Sequence, residues 1–106
     1  MSEVIALLIA FHFICDYVLQ TDAIARGKNR NADACLYGVN WYYWLTTHAI
    51  AHGLAVGLIT GSLYLGLLET VLHWLIDFGK CEKRYSLHVD QLLHILCKLI
   101  YLWFLL

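Results

Sequence analysis

Four apolar segments of this chain each carry two ionisable residues spaced i,i+4: His12 and Asp16, His48 and His52, His73 and Asp77, Asp90 and His94. On a helix that spacing puts both side chains of a pair on one face, so each segment offers a polar stripe on an otherwise oily rod. Ionisable groups at membrane depth are costly, and where they occur they face a bundle interior and mark a function. Four such stripes predict a shared polar centre. Imidazole and carboxylate together form the ligand set of zinc, manganese and iron.

The surrounding composition sets the environment. The chain has 106 residues, of which 61% are hydrophobic and 14% charged, with no proline. That balance is far from a soluble domain. Residues 3–20, 41–60, 63–79 and 89–106 each form an apolar run near the roughly 20 residues that a membrane helix needs. The expected architecture is all-α, a single integral-membrane four-helix bundle over residues 1–106. Met1-Ser2-Glu3 offers no basic start and no small-residue cleavage site precedes the His12 segment, so the first span is expected to be retained rather than removed as a signal peptide.

Basic residues give the orientation. Arg26, Lys28 and Arg30 lie between the first two segments, and Lys80, Lys83 and Arg84 between the last two, while both termini and the Gly61-Ser62 turn carry no Lys or Arg. The positive-inside rule then predicts both termini outside (N-out/C-out) and loops one and three in the cytoplasm. The expected partners are membrane lipids, whose anionic headgroups suit those loops, and further copies of the chain; no nucleic-acid module is readable. Trp41-Tyr42-Tyr43-Trp44 and Trp103-Phe104 suit the two membrane interfaces, whereas Trp74 and Tyr101 read as core packing. Cys15, Cys35, Cys81 and Cys97 show no CxxC pairing and read as packing residues, two in helices and two in cytoplasmic loops. Ala49, Gly53, Gly57 and Gly61 form a small-residue face suited to close helix contact. Loop one, Thr21 to Asn40, has room for a short interfacial helix around Ala32 to Leu36.

Depth unites the pairs. With cytoplasmic helix ends at residues 20, 41, 79 and 88 and a rise of about 1.5 Å per residue, His12 lies about 12 Å deep, His48 about 10 Å, and His73 and His94 about 9 Å. Asp16, Asp77 and Asp90 fall about a turn nearer the cytoplasm and His52 a turn deeper. All eight are expected to line one cavity open to the inner face. His12, Asp16, His48, His52, His73, Asp77 and His94 form the expected metal-ligand pool for zinc first, then manganese or iron. Asp90 is the expected catalytic carboxylate, and Lys28, Lys80, Gln20 and Gln91 the expected substrate-binding groups. Glu69 and Lys98 continue the stripes, either in a functional role, orienting imidazoles or holding a substrate, or pairing with each other. His88 lies off the Asp90/His94 face and reads as a loop or interface residue.

The ordered set His12-x3-Asp16-Tyr17-Val18-Leu19-Gln20-Thr21-Asp22, Lys28, His48-x3-His52, His73-x3-Asp77-x2-Lys80 and Asp90-Gln91-x2-His94 resembles a small integral-membrane family of bacteria and their phages, the domain of unknown function 3307. The resemblance spans nearly the whole chain. This chain has Ala23 where members often have an aromatic residue, and carries a Lys98 charge that members usually lack. The resemblance implies a multi-pass protein of the bacterial inner membrane and supplies no activity. A looser resemblance, in ligand type and setting, is to membrane-bound metal-dependent hydrolases.

The function expected on these grounds is metal-dependent hydrolysis of a lipid headgroup or other phosphoester at the cytoplasmic face. Three or four protein ligands per metal leave an open position, and a bound water ionises near neutral pH; eight candidate ligands suffice for one metal with further partners around it or for two metals about 3.5 to 4 Å apart. The alternatives are a proton or metal conduit, since Asp/His chains serve as relays, and a non-enzymatic phage or host membrane interaction factor. A haem site is disfavoured by the carboxylates one turn from His12 and His73.

Overall fold

The structure, a computed structural model, describes residues 1–106 and contains helices and no strands. Helix α1 spans Ser2–Phe13 and runs on into a π-helical turn, Ile14–Val18. Helix α2 is a short element at Asp22–Gly27, and the long helices follow as α3 (Trp41–Thr60), α4 (Leu63–Cys81) and α5 (Leu87–Leu105). The elongated bundle measures 43 × 24 × 22 Å.

Start signals explain the boundaries. The side-chain oxygens of Thr21, Ser62 and Ser86 each accept a hydrogen bond at 3.2 Å, from the backbone N–H of Ile24, Leu65 and Val89 respectively. Each thereby satisfies one of the N–H groups that a helix start leaves unpaired. The α3–α4 turn closes on Gly61 at φ +69°, a left-handed position that suits glycine.

Two expectations for the first forty residues need correction. The first segment is not a regular helix to residue 20: Leu19 N–H bonds to Ile14 C=O at 2.9 Å, an i→i+5 contact that widens the turn around Asp16. The short helix of loop one lies at Asp22–Gly27, where Thr21 caps it, and not around Ala32 to Leu36, where only a 3₁₀ turn at Leu36–Gly38 forms. Cys81 also moves, from the expected loop to the buried last residue of α4.

The small-residue face operates as expected. A Cβ added at Gly53 would sit 2.6 Å from the carbonyl oxygen of Gly66, and one at Gly66 would sit 2.9 Å from that of Gly53. The α3 and α4 backbones therefore approach closely, with the Thr70 side chain seated against Gly53, the arrangement that small residues allow in helix pairs.

The distribution of polarity is inverted relative to a soluble domain. Leu54, Leu58, Leu67, Val71, Leu75, Leu92, Leu96, Ile100 and Trp103 are exposed, whereas every residue of the four sequence pairs is buried, together with Lys28, Glu69 and Lys98. By length and composition one helix, α5, is long and apolar enough to cross a membrane.

Candidate functional site

Asp16 is the hub of the polar interior. The π turn carries it inward from the end of α1, and its Oδ1 lies 2.9 Å from His52 Nε2 and 3.2 Å from His48 Nε2, both on one face of α3. Its other oxygen, Oδ2, lies 3.4 Å from His12 Nε2 and accepts from Gln91 Nε2 at 3.0 Å. The two oxygens of one carboxylate thus address different sets of groups.

Gln91 braces the α1–α5 side. Its Nε2 also donates to Asp90 Oδ2 at 3.1 Å, and its Oε1 stands 2.9 Å from His12 Nε2. Asp90 Oδ1 faces His94 Nε2 at 3.3 Å.

The imidazoles form a stack beneath the carboxylates. Ring centroids of His52 and His73 are 3.7 Å apart, and those of His73 and His94 are 4.1 Å apart. Both ring nitrogens of His73 and of His94, and Asp90 Oδ1, are buried without a hydrogen-bond partner. Unsatisfied buried polar atoms are rare and each calls for a cause. Asp16, His48, His52 and His73 each bring a ligand atom within 4.8 Å of the others, as do Asp16, Asp90 and His94, and as do His12, His73 and His94.

One turn deeper, Lys98 Nζ donates to both oxygens of Glu69, at 2.8 and 2.6 Å, and Glu69 Oε1 lies 3.7 Å from His73 Nδ1. The Tyr101 hydroxyl reaches Glu69 at 3.4 Å. Beyond this pair the polar column stops. Leu8, Val56, Leu65, Cys97 and Tyr101 pack into an apolar cluster that closes that end.

At the opposite end, beside loops one and three, a cavity of about 180 Å³ is lined by Asp16, Tyr17, Gln20, Lys28, Asp77, Lys80, Leu87, Asp90 and Gln91. Lys28 Nζ donates to Asp77 Oδ2 at 2.6 Å, and Gln20 Nε2 to the backbone oxygen of Asp16 at 3.2 Å. Asp77 Oδ2 is also 3.7 Å from His48 Nε2. Near the rim, the Tyr85 hydroxyl donates to the carbonyl of Ile76, and burial, followed by the charges of Asp90 and Asp77, raises its pKa above the usual tyrosine value.

Charge accounting sharpens the picture. Four carboxylates are buried in the bundle, and two have lysine partners: Lys28 for Asp77 and Lys98 for Glu69. Asp16 and Asp90 make no ion pair with any lysine or arginine and are surrounded by imidazoles and Gln91. A buried carboxylate pair without a countercharge is strongly unfavourable.

The eight residues of the sequence pairs therefore meet, but not as a single lining. Only the carboxylates Asp16, Asp77 and Asp90 reach the cavity; the five histidines lie below it. Lys28, expected to be free for a substrate, is committed to Asp77, while Lys80 lines the cavity without an ion pair within 4 Å. Gln91 holds side chains of the site in place in addition to lining the cavity. Glu69 and Lys98 pair with each other, as one of the two expectations had it, and His88 is exposed. The π turn at Asp16 and the deep hydroxyl of Tyr101 were not legible. A π turn has no composition signature, and a tyrosine on an apolar face reads as packing.

The fold and site together define a helical protein that buries a histidine and carboxylate centre open at one end. The chain belongs to the family described as Protein of unknown function (DUF3307), whose model matches residues 4–106. No curated protein and no solved structure matches it.

Proposed function

We propose that this chain is a multi-pass protein of the bacterial cytoplasmic membrane, N-out/C-out, with a divalent metal centre that hydrolyses a phosphoester or lipid headgroup at the cytoplasmic face. The inverted polarity supports the membrane setting, because contiguous exposed leucines on every long helix need an apolar surrounding. The observation that carries the metal is the pair Asp16 and Asp90, buried without a lysine or arginine partner beside unpartnered imidazole nitrogens. A divalent ion would supply the missing charge and take up one of those nitrogens, on His73. The separations fit: Asp16 Oδ1 is 2.9 and 3.2 Å from its two imidazole nitrogens, and ligands of a tetrahedral zinc with bonds of about 2.1 Å stand about 3.4 Å apart.

When bound, such an ion polarises a phosphoryl oxygen and lowers the pKa of a water. The residues supply the rest. Asp16, His48, His52 and His73 would hold the ion, with Asp77 and His12 at its flanks. Asp90, whose Oδ1 faces His94 and has no hydrogen-bond partner, is the carboxylate on which turnover would depend. Lys80, Gln20 and Gln91 at the mouth receive the anionic group, and the Leu8–Val56–Leu65 cluster keeps the far side dry.

A conduit is the second reading, favoured by the Glu69, Lys98 and Tyr101 extension of the polar column and opposed by the apolar cluster beyond it. Elemental analysis of the detergent-purified chain, prepared without chelator, tests the metal. Stoichiometric zinc, manganese or iron is expected, together with turnover in a panel of phospholipids and phosphoesters that Asp90→Asn abolishes while the ion on His48 and His52 remains. Substoichiometric metal throughout overturns the reading.

A further inference from the structure

Asp16 is placed to serve two ions at once. Its Oδ1 faces His48 and His52 on α3, while its Oδ2 faces the α5 side, where Gln91 ties it to Asp90 through bonds of 3.0 and 3.1 Å. Two of the potential ligand groups, Asp16 with His48, His52 and His73 and Asp16 with Asp90 and His94, have only Asp16 in common. The second group has orphaned atoms of its own. Asp90 Oδ1 and His94 Nε2 lie 3.3 Å apart, both buried, and neither has a hydrogen-bond partner. Asp90 is 2% exposed and His94 1%, so both are shielded from bulk solvent.

We infer that the centre is binuclear, with Asp16 as the bridging carboxylate: one divalent ion on Asp16, His48, His52 and His73, and a second on Asp16, Asp90 and His94. The inference rests on the metal reading above and deepens it, since it turns Asp90 from a free carboxylate into a ligand of the second ion. A carboxylate that spans two ions through separate oxygens holds them about 3.5 to 4 Å apart, the spacing at which two metals clamp the attacking and leaving oxygens of a phosphoryl group. The charge balance changes accordingly. One divalent ion only neutralises Asp16 and Asp90; a second leaves the centre net positive below a mouth that carries Lys80. A doubly charged phosphate group is the substrate chemistry that such a centre attracts.

The test is titration of the purified chain with Mn(II), read by elemental analysis and by electron paramagnetic resonance. Two equivalents per chain and an exchange-coupled spectrum are expected for the wild type, which needs no variant to fold. Asp90→Asn and His94→Ala are expected to retain one equivalent with the spectrum of isolated Mn(II), and His48→Ala to retain one at the other position. Saturation of the wild type at one equivalent, with an uncoupled spectrum, overturns the binuclear centre and leaves the metal reading standing. Failure to bind Mn(II), zinc or iron at all overturns both.

Discussion

Lys28 Nζ donates to Asp77 Oδ2 at 2.6 Å across 49 positions of sequence, and both side chains are buried. This pair ties the end of α2 to α4 at the rim of the cavity. Removing one partner of a buried pair leaves a stranded charge, which costs about 3 to 5 kcal/mol, whereas replacing both with apolar groups costs far less. Lys28→Met is therefore expected to lower the unfolding temperature markedly, and the double variant Lys28→Met/Asp77→Leu to recover most of the loss. Additive effects in a thermal double-mutant cycle would show that the two side chains are not coupled.

The glycine crossing gives a second prediction. Gly53→Ala drives a methyl group against the Thr70 hydroxyl and to 2.6 Å from the Gly66 carbonyl, while Gly57→Ala meets nothing closer than 3.6 Å. Overpacking of this kind costs about 1 to 3 kcal/mol. Gly53→Ala should destabilise the purified chain by that amount and Gly57→Ala by much less, as measured by thermal or denaturant unfolding in detergent. Equal stability of the two variants would refute the close backbone contact.

Metal content separates the buried histidines from the exposed one. His52→Ala removes a group 2.9 Å from Asp16 and is expected to reduce bound metal sharply, whereas His88→Ala, at an exposed position on the first turn of α5, leaves it unchanged. Wild-type metal content in His52→Ala would count against the α3 half of the centre.

Topology is open to labelling. Cys35 is exposed while Cys15, Cys81 and Cys97 are buried, so Cys35 is the native reporter for loop one. An impermeant thiol reagent should leave Cys35 untouched in intact cells and modify Ser62→Cys, in the α3–α4 turn. The reverse pattern would invert the proposed orientation.

The blind end is tested in vesicles. Liposomes containing the chain should hold a proton gradient as well as empty ones, because Leu8, Val56 and Leu65 close the column beyond Glu69 and Lys98. Rapid dissipation that Glu69→Gln suppresses would favour the conduit.

The long helices and the convergence of the four pairs were legible because a period of 3.6 residues fixes which side chains share a face before any packing is known. Helices α3, α4 and α5 fall within two residues of their expected limits. What sequence spacing misses is partner choice and local backbone exceptions. Lys28 looked free for a substrate because nothing in its own neighbourhood announces Asp77, a residue on another helix. The π turn shifts Asp16 without any residue that signals it, and the capping threonine of α2 was passed over in favour of a more apolar stretch ten residues on. The apolar runs predicted four spans, whereas one helix, α5, meets the combined test of length and hydropathy; α1 is a regular helix for only 12 residues before the π turn, His48 and His52 with the Trp41–Trp44 aromatics lower the hydropathy of α3, and Glu69, His73, Asp77 and Lys80 lower that of α4.

The apolar cluster at Leu8, Val56, Leu65 and Tyr101 lies at one end of the polar column, and the mouth beside Gln91 and Lys80 at the other. On the proposed function, arrival and departure would share a single lane. A substrate would have to back out before the next came in, so an occupant that lingers would throttle the molecules queuing behind it, and crowding outside would do nothing to push it onward.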